Sequence, residues 1–176
     1  MHIRDALIGD IEAITAIYND AVSNTLAIWN ERTVDVANRA AWLAERARAG
    51  YPVLVAIDAQ QQVAGYASFG DWRPFEGFRH TVEHSVYVRA DSRGAGVGKA
   101  LMGELIVRAR GLGKHVMVAG IEAGNAASIA LHKQLGFDEV GLMRQVGTKF
   151  GTWLDLAFFQ LQLDTRSDPD GVTPPG

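Results

Sequence analysis

The chain contains no cysteine. Disulfides, a thiol nucleophile and cysteine-ligated metals are therefore excluded. It has no surplus of positive charge either: 17 lysines and arginines stand against 20 aspartates and glutamates, a net charge of −3. A protein that tracks a nucleic-acid backbone needs a basic field, so nucleic-acid binding is not expected. No apolar run approaches the length of a membrane span. The N-terminal MHIRDALIGD carries Asp5 and Asp10 and reads as neither signal peptide nor anchor. A soluble cytoplasmic protein is the expectation. His80, His84, His115 and His132 lack the spacing and carboxylate partners of a metal site, so no metal is expected. Proline is scarce, and three of the five prolines fall after residue 164. That shift in composition predicts one domain over residues 1–164 and a mobile C-terminal tail over 165–176.

What is present is an ordinary globular composition, 48% apolar in 176 residues, enough for one domain with a real core. Residues 2–7 read as a strand. Asp10 is placed to cap a helix carrying the stripe Ile11, Ile14, Ile17, Tyr18, Ala21 and Val22. Residues 24–32 (NTLAIWNER) break that period. With Leu26, Ile28 and Trp29 they form either a lid on the core or the lining of a substrate pocket. A second helix starts near Thr33 or Asp35 and stops at Gly50, with Val36, Ala40, Leu43 and Ala47 inward and Arg39, Glu45, Arg46 and Arg48 on a solvated face. Residues 52–57 and 62–69 make a hairpin. A loop rich in aromatics, residues 70–79, leads into the strand TVEHSVYV. In that strand Glu83, Ser85 and Tyr87 share one face, while Val82, His84, Val86 and Val88 share the other. A helix from Val97 to about Arg110, a buried-type strand 115–121, a helix capped by Asn125 and two final strands, 137–146 and 152–163, complete the chain.

The strand at residues 81–88 runs into a glycine-rich loop, Arg93-Gly94-Ala95-Gly96-Val97-Gly98, which opens the next helix. Glycines there let the backbone approach a ligand, and the helix adds its positive end. The loop therefore reads as a phosphate or pyrophosphate site. It is not a mononucleotide P-loop: Gly98-Lys99 is followed by Ala100, and Arg93 stands where the first glycine belongs. Nor is it G-x-G-x-x-G, since neither Gly94 nor Gly96 finds a glycine five residues on. The pattern it does fit is R-x-x-G-x-G. A second pattern follows about thirty residues later: Asn125-x-x-Ser128-x-x-Leu131-His132-x-x-x-Gly136-Phe137.

Those two patterns, in that order, resemble the acetyl-CoA-binding segments of the GNAT N-acetyltransferase superfamily. Val82 to Val88, together with Lys149-Phe150-Gly151-x-Trp153-x-Asp155, resembles the phosphinothricin acetyltransferases. Ala27-Ile28-Trp29-Asn30, Phe69-Gly70-Asp71-Trp72-Arg73 and Val116 to Ile121 are similar to the bacterial methionine sulfoximine/methionine sulfone acetyltransferases. The resemblance spans Ile3 to about Leu163. It implies an α/β domain of the GNAT type: a mixed, mostly antiparallel central sheet flanked by helices. It also implies a homodimer that moves acetyl from acetyl-CoA to the α-amine of a small amino-acid analogue. Carried onto this sequence, the coenzyme would be held by Val86, Tyr87 and Val88 of the strand, by the loop Arg93, Gly94, Ala95, Gly96, Val97, Gly98 and Lys99, and by Asn125, Ser128 and His132. The acceptor would be held by Arg73, Pro74 and Phe75 and by Glu83, His84 and Ser85.

The chemistry agrees with these residues on its own terms. An amine must lose a proton before attacking a thioester, and Glu83, on the central strand, is the candidate base. The alternative is a structural ion pair with Arg73 or Arg79. Backbone N–H groups near Val86 to Val88 would receive the thioester oxygen as it gains charge. Arg73 either forks onto a substrate carboxylate or is a surface arginine. Many members of the superfamily carry a tyrosine acid where this chain has His132, which either protonates the leaving thiolate or packs against coenzyme A. Two rivals stay open: acetylation of a protein N-terminus or polyamine, and a non-catalytic acetyl-CoA sensor.

Overall fold

The computed structural model describes residues 1–171. Seven strands form one sheet: β1 (His2–Asp5), β2 (Val53–Ile57), β3 (Val63–Asp71), β4 (Thr81–Val88), β5 (Val116–Glu122), β6 (Asp138–Lys149) and β7 (Thr152–Gln162). Their order is β1-β2-β3-β4-β5-β7-β6, and every neighbouring pair is antiparallel except β4 with β5. The helices are α1 (Ile11–Asn24), α2 (Val36–Arg48), α3 (Val97–Gly111) and α4 (Ala126–Gln134). This is the expected mixed, mostly antiparallel α/β architecture.

Strand alternation divides the core into two layers. Leu54, Ala67, Phe69, Val82, Met117 and Phe159 pack with Leu101, Met102 and Leu105 of α3. On the opposite face Val53, Val55 and Tyr66 pack with Ile11, Ile14, Ile17 and Val22 of α1. The stripe expected on α1 is the buried one. Asp10 acts differently from expectation. Its carboxylate caps no N–H of α1; it accepts the Leu7 N–H at 2.7 Å and pairs with Arg4 at 2.7 Å.

The inner face of α2 is rotated from the expected one. Val36 and Ala47 are exposed, while Ala40, Trp42 and Leu43 turn inward with Arg39 and Arg46. The Arg39 guanidinium lies 4.3 Å from the Tyr18 ring centroid, and Arg46 lies against Gly70. Arginine stems cover apolar surface and guanidinium planes stack on rings, so aromatic partners drew both arginines in. The last hairpin is also longer than expected. Pairing continues to Lys149–Thr152, which leaves only Phe150 and Gly151 in the turn, at φ 52° and 73°. Two consecutive positive φ values make the tight turn that matches strand twist. The glycines at 147 and 151 predict a five-residue loop, but residues 147–149 pair with β7 instead.

Residues 165–171 carry no helix or strand, and two of them are tethered. Arg166 donates to the Gly113 carbonyl at 2.8 Å, and Asp170 pairs with Arg79 at 2.7 Å. The rest of the expected tail, residues 172–176, lies outside the described residues.

Candidate active site

The parallel pair β4 and β5 is joined only at Thr81–Val116, Val82–Met117 and Glu83–Val118. Beyond Glu83 the strands part, and the β5-facing edge of β4 from His84 to Val88 is left unpaired. A cleft of about 700 Å³ opens there. One wall is His84, Ser85, Val86, Tyr87 and Val88; the facing wall is Gly120, Ile121 and Glu122. Free backbone donors along one strand edge suit a ligand chain that completes the pairing.

At the wide end the cleft is closed by Arg93, Gly94, Gly96, Val97, Gly98 and Lys99. Gly94 and Gly96 have φ of 77° and 81°, a backbone that glycine adopts without strain. Gly96 caps α3, and no side chain claims the first N–H groups of the helix. They are available to an anion. Ala95 does not line the cleft. Arg93 does, but its guanidinium pairs with Asp20 of α1 at 2.8 Å. The other side belongs to α4: Asn125 caps it by accepting the Ser128 N–H at 3.0 Å, and Asn125, Ser128, Leu131 and His132 all face the cleft. Thr25, Leu26 and Ala27 lie over it, while Ile28 is buried in the core. The α1–α2 loop thus covers the core through Ile28 and lines the cleft through Thr25, Leu26 and Ala27.

Glu83 stands at the apex, where the strands begin to separate. It is half-buried, and burial raises its carboxyl above the usual range, with the Arg73 charge pulling the other way. A β-carbon at position 120 would lie 3.3 Å from Glu83 Oε1. Gly120, which the sequence reading did not single out, therefore leaves room for the carboxylate. Among the described residues Glu83 has no ion pair, and Arg79 is committed to Asp170. Arg73 is exposed, its guanidinium 4.2 Å from the centroid of the Trp72 ring, which itself packs edge-on to Phe158. Pro74 and Phe75 are exposed beside it, outside the cleft. Ser85 and Tyr87 share the Glu83 face. The Tyr87 ring packs on Tyr18 and Tyr66, and burial holds its hydroxyl well above the ordinary tyrosine range.

His84 turns to the other face, and its side chain is occupied there. His84 Nε2 lies 3.0 Å from His132 Nε2, and Phe137 packs edge-on against both rings. Burial lowers the pKa of both imidazoles, and for His84 the neighbouring His132 lowers it further. In the unfolded chain they take up protons near pH ~6.5; in the folded protein they resist. The unfolded state then binds more protons, so stability should be full above that pH and decline as pH falls below it. A melting temperature that is flat from pH 8 to pH 5 would contradict this assignment.

Lys149, which the sequence marks only as part of the Lys149-Phe150-Gly151 pattern, anchors the roof of the cleft. Its side chain is buried, and Nζ donates to the carbonyls of Thr25 at 2.6 Å and Ile28 at 2.5 Å. The ammonium sits at the C-terminal end of α1, where a positive charge is favoured. Burial lowers its pKa, opposed by Glu31. No sequence period marks a lysine that reaches across more than 120 residues to its partners.

The family model described as the acetyltransferase (GNAT) family matches residues 14–137. The chain belongs to this GNAT acetyltransferase family. A relative from Pseudomonas paraeruginosa, an L-methionine sulfoximine/L-methionine sulfone acetyltransferase, is 67% identical over 168 residues, 95% of this chain and 98% of that protein. A ribosomal-protein-alanine N-acetyltransferase from Brucella melitensis superposes with a TM-score of 0.90 at 59% identity, covering 92% of this chain and 99% of that one. A GNAT superfamily phosphinothricin acetyltransferase from Sinorhizobium meliloti, solved with acetyl-CoA, gives a TM-score of 0.89 at 40% identity, covering 92% and 87%. The GNAT assignment accounts for the parted strands, the glycine loop and the capped α4 as one cleft. Among the described residues no cluster of histidines and carboxylates suits a metal, and no helix is long and apolar enough to cross a membrane.

Proposed function

We propose that this GNAT enzyme transfers acetyl from acetyl-CoA to the α-amine of a small amino-acid analogue: methionine sulfoximine, methionine sulfone or phosphinothricin. The observation that carries the proposal is Glu83, an unpaired, half-buried carboxylate at the point where β4 and β5 part. Acetyl-CoA supplies the activated acyl group. Its pyrophosphate fits the N-terminus of α3 behind Gly94 and Gly96, and its pantetheine arm fits the unpaired edge of β4. Asn125 and Ser128 would hold it from the α4 side. Glu83 takes the proton of the incoming amine, helped by the burial that raises its basicity. Backbone donors of β4 near Val86 to Val88 meet the thioester oxygen as negative charge develops there. Attack is direct, since no cysteine exists to carry the acetyl group.

Arg73 receives the substrate carboxylate beside Trp72. Arg73→Ala should raise KM for carboxylate-bearing acceptors by roughly tenfold, the value of one charge-assisted hydrogen bond at an exposed site. An equal loss for the corresponding amide substrate would assign Arg73 another role. The second reading is acetylation of a protein N-terminus, favoured by the name of the Brucella protein. The two separate in one assay: coenzyme A thiol release with amino-acid sulfones against release with alanine-initiated peptides.

We also place the enzyme in the cytoplasm as a homodimer. The support for the dimer is the edge strand β6, on which Val140, Leu142, Met143 and Val146 are exposed apolar residues that a second copy would cover. Sedimentation should give twice the chain mass; a monomer at micromolar concentration would refute the dimer.

A further inference from the structure

The His84–His132 pair is a buried titratable cluster that the proposed chemistry leaves unused. His132 Nδ1 lies 2.7 Å from the Ser128 carbonyl oxygen. A carbonyl only accepts, so that nitrogen carries a hydrogen. In neutral His132 the other nitrogen, Nε2, then holds a lone pair. His84 Nε2 lies 3.0 Å from it. The ring centroids are 5.0 Å apart and the ring planes differ by 14°. A centroid separation of 5.0 Å against a nitrogen contact of 3.0 Å displaces the nearly parallel rings sideways, so that they approach at their nitrogen edges rather than face over face. That offset admits a hydrogen bond between the two Nε2 atoms. The hydrogen between the two nitrogens must come from His84, which makes it the Nε2–H tautomer. Its own Nδ1 is left buried without a partner.

Both nitrogens of His132 are therefore committed, one as donor to Ser128 and one as acceptor from His84. His132 is 1% exposed. It has no free N–H to offer a departing sulfur. The reaction does not require one. An ammonium that becomes an amide sheds two protons as the C–N bond forms and the C–S bond breaks. One of them, passed through Glu83 and water, ends on the sulfur, and the other goes to solvent.

What the pair does is join the two walls of the cleft. His84 belongs to β4, whose edge receives the pantetheine arm. His132 belongs to α4, which presents Asn125 and Ser128. We propose that His84 is a positioning residue: by donating Nε2–H it fixes His132 as the neutral Nδ1–H tautomer and holds α4 against β4, and His132 is not the acid for the leaving thiolate. The inference rests on the acetyl-CoA reading of the cleft, but its tautomers do not.

The test uses the full chain with His84 replaced by methionine or glutamine. Methionine is of similar length and has no donor; glutamine places an amide N–H near the position of Nε2. His84→Met should raise KM for acetyl-CoA roughly three- to tenfold, the value of one neutral hydrogen bond, with kcat little changed. His84→Gln should recover most of that loss. Long-range nitrogen–proton NMR of the wild type should find His132 protonated at Nδ1 and bare at Nε2 at neutral pH. That spectrum needs neither a variant nor turnover, so it stands even if the acceptor has been misassigned or the methionine variant fails to fold. A proton on His132 Nε2 in the wild type would overturn the proposal. So would a kcat that falls a hundredfold in His84→Met with KM unchanged.

Discussion

Glu83→Gln should bind acetyl-CoA as the wild type does and turn over about 10²–10⁴-fold more slowly, the usual range for a positioned base. The substitution keeps the shape and polarity of the side chain but removes the proton acceptor. Binding is expected to survive because the proposal gives the coenzyme contacts to the β4 backbone, the glycine loop and α4 rather than to the Glu83 side chain. The deficit should shrink as pH rises, because more of the amine is then neutral before it arrives. Burial raises the Glu83 pKa, and its folded-state value lies above its unfolded one. The buried charge therefore costs stability above the unfolded pKa, and Gln should leave the melting temperature at neutral pH unchanged or slightly higher. A structural role makes the reverse prediction: lower melting temperature with little change in rate. Measuring kcat from pH 6 to 10 alongside thermal unfolding separates them. A stable variant nearly as fast as wild type at neutral pH would end the assignment.

Gly96→Val should lower acetyl-CoA affinity by at least about tenfold, which is about 1.4 kcal/mol. Two effects add. At φ 81° a side chain is strained by roughly 1–2 kcal/mol, and the strain falls on the residue that starts α3. The β-carbon itself meets nothing within 4 Å. The isopropyl group is thus free to stand in the open cleft, in front of the N–H groups that would receive the pyrophosphate. Calorimetry on the folded variant reads the affinity and thermal unfolding reads the strain. Gly96→Ala should fall between the two. Unchanged affinity in the valine variant would remove the loop from the coenzyme site.

Much of the site was legible because its parts are local. The glycine loop, the Asn125 cap and the alternation of β4 each depend on residues a few positions apart, and each appears where the sequence placed it. The mixed, mostly antiparallel sheet flanked by helices was implied by the family resemblance and is the observed architecture. What periodicity missed was set by contacts distant in sequence. Arg39 and Arg46 looked solvated until Tyr18, Trp42 and Gly70 were packed against them. Lys149 reaches carbonyls at the far end of α1. Gly120 matters only because β5 passes beside Glu83. His84 and His132 are 48 residues apart, and neither neighbourhood announces that the rings meet. The turn at Phe150-Gly151 was hidden by an aromatic residue taking a positive φ, which sequence reading assigns to glycine or asparagine.

The most direct test of the whole account is product identity with the purified chain: acetyl-CoA and L-methionine sulfone, with free thiol and acetylated amine measured together. The expected result is one thiol released for each N-acetyl group formed on the sulfone. Release should be much weaker for the carboxamide of the same amino acid and absent for polyamines. Efficient acetylation of an alanine-initiated peptide, with none of the sulfone or of any free amino acid, would contradict the account.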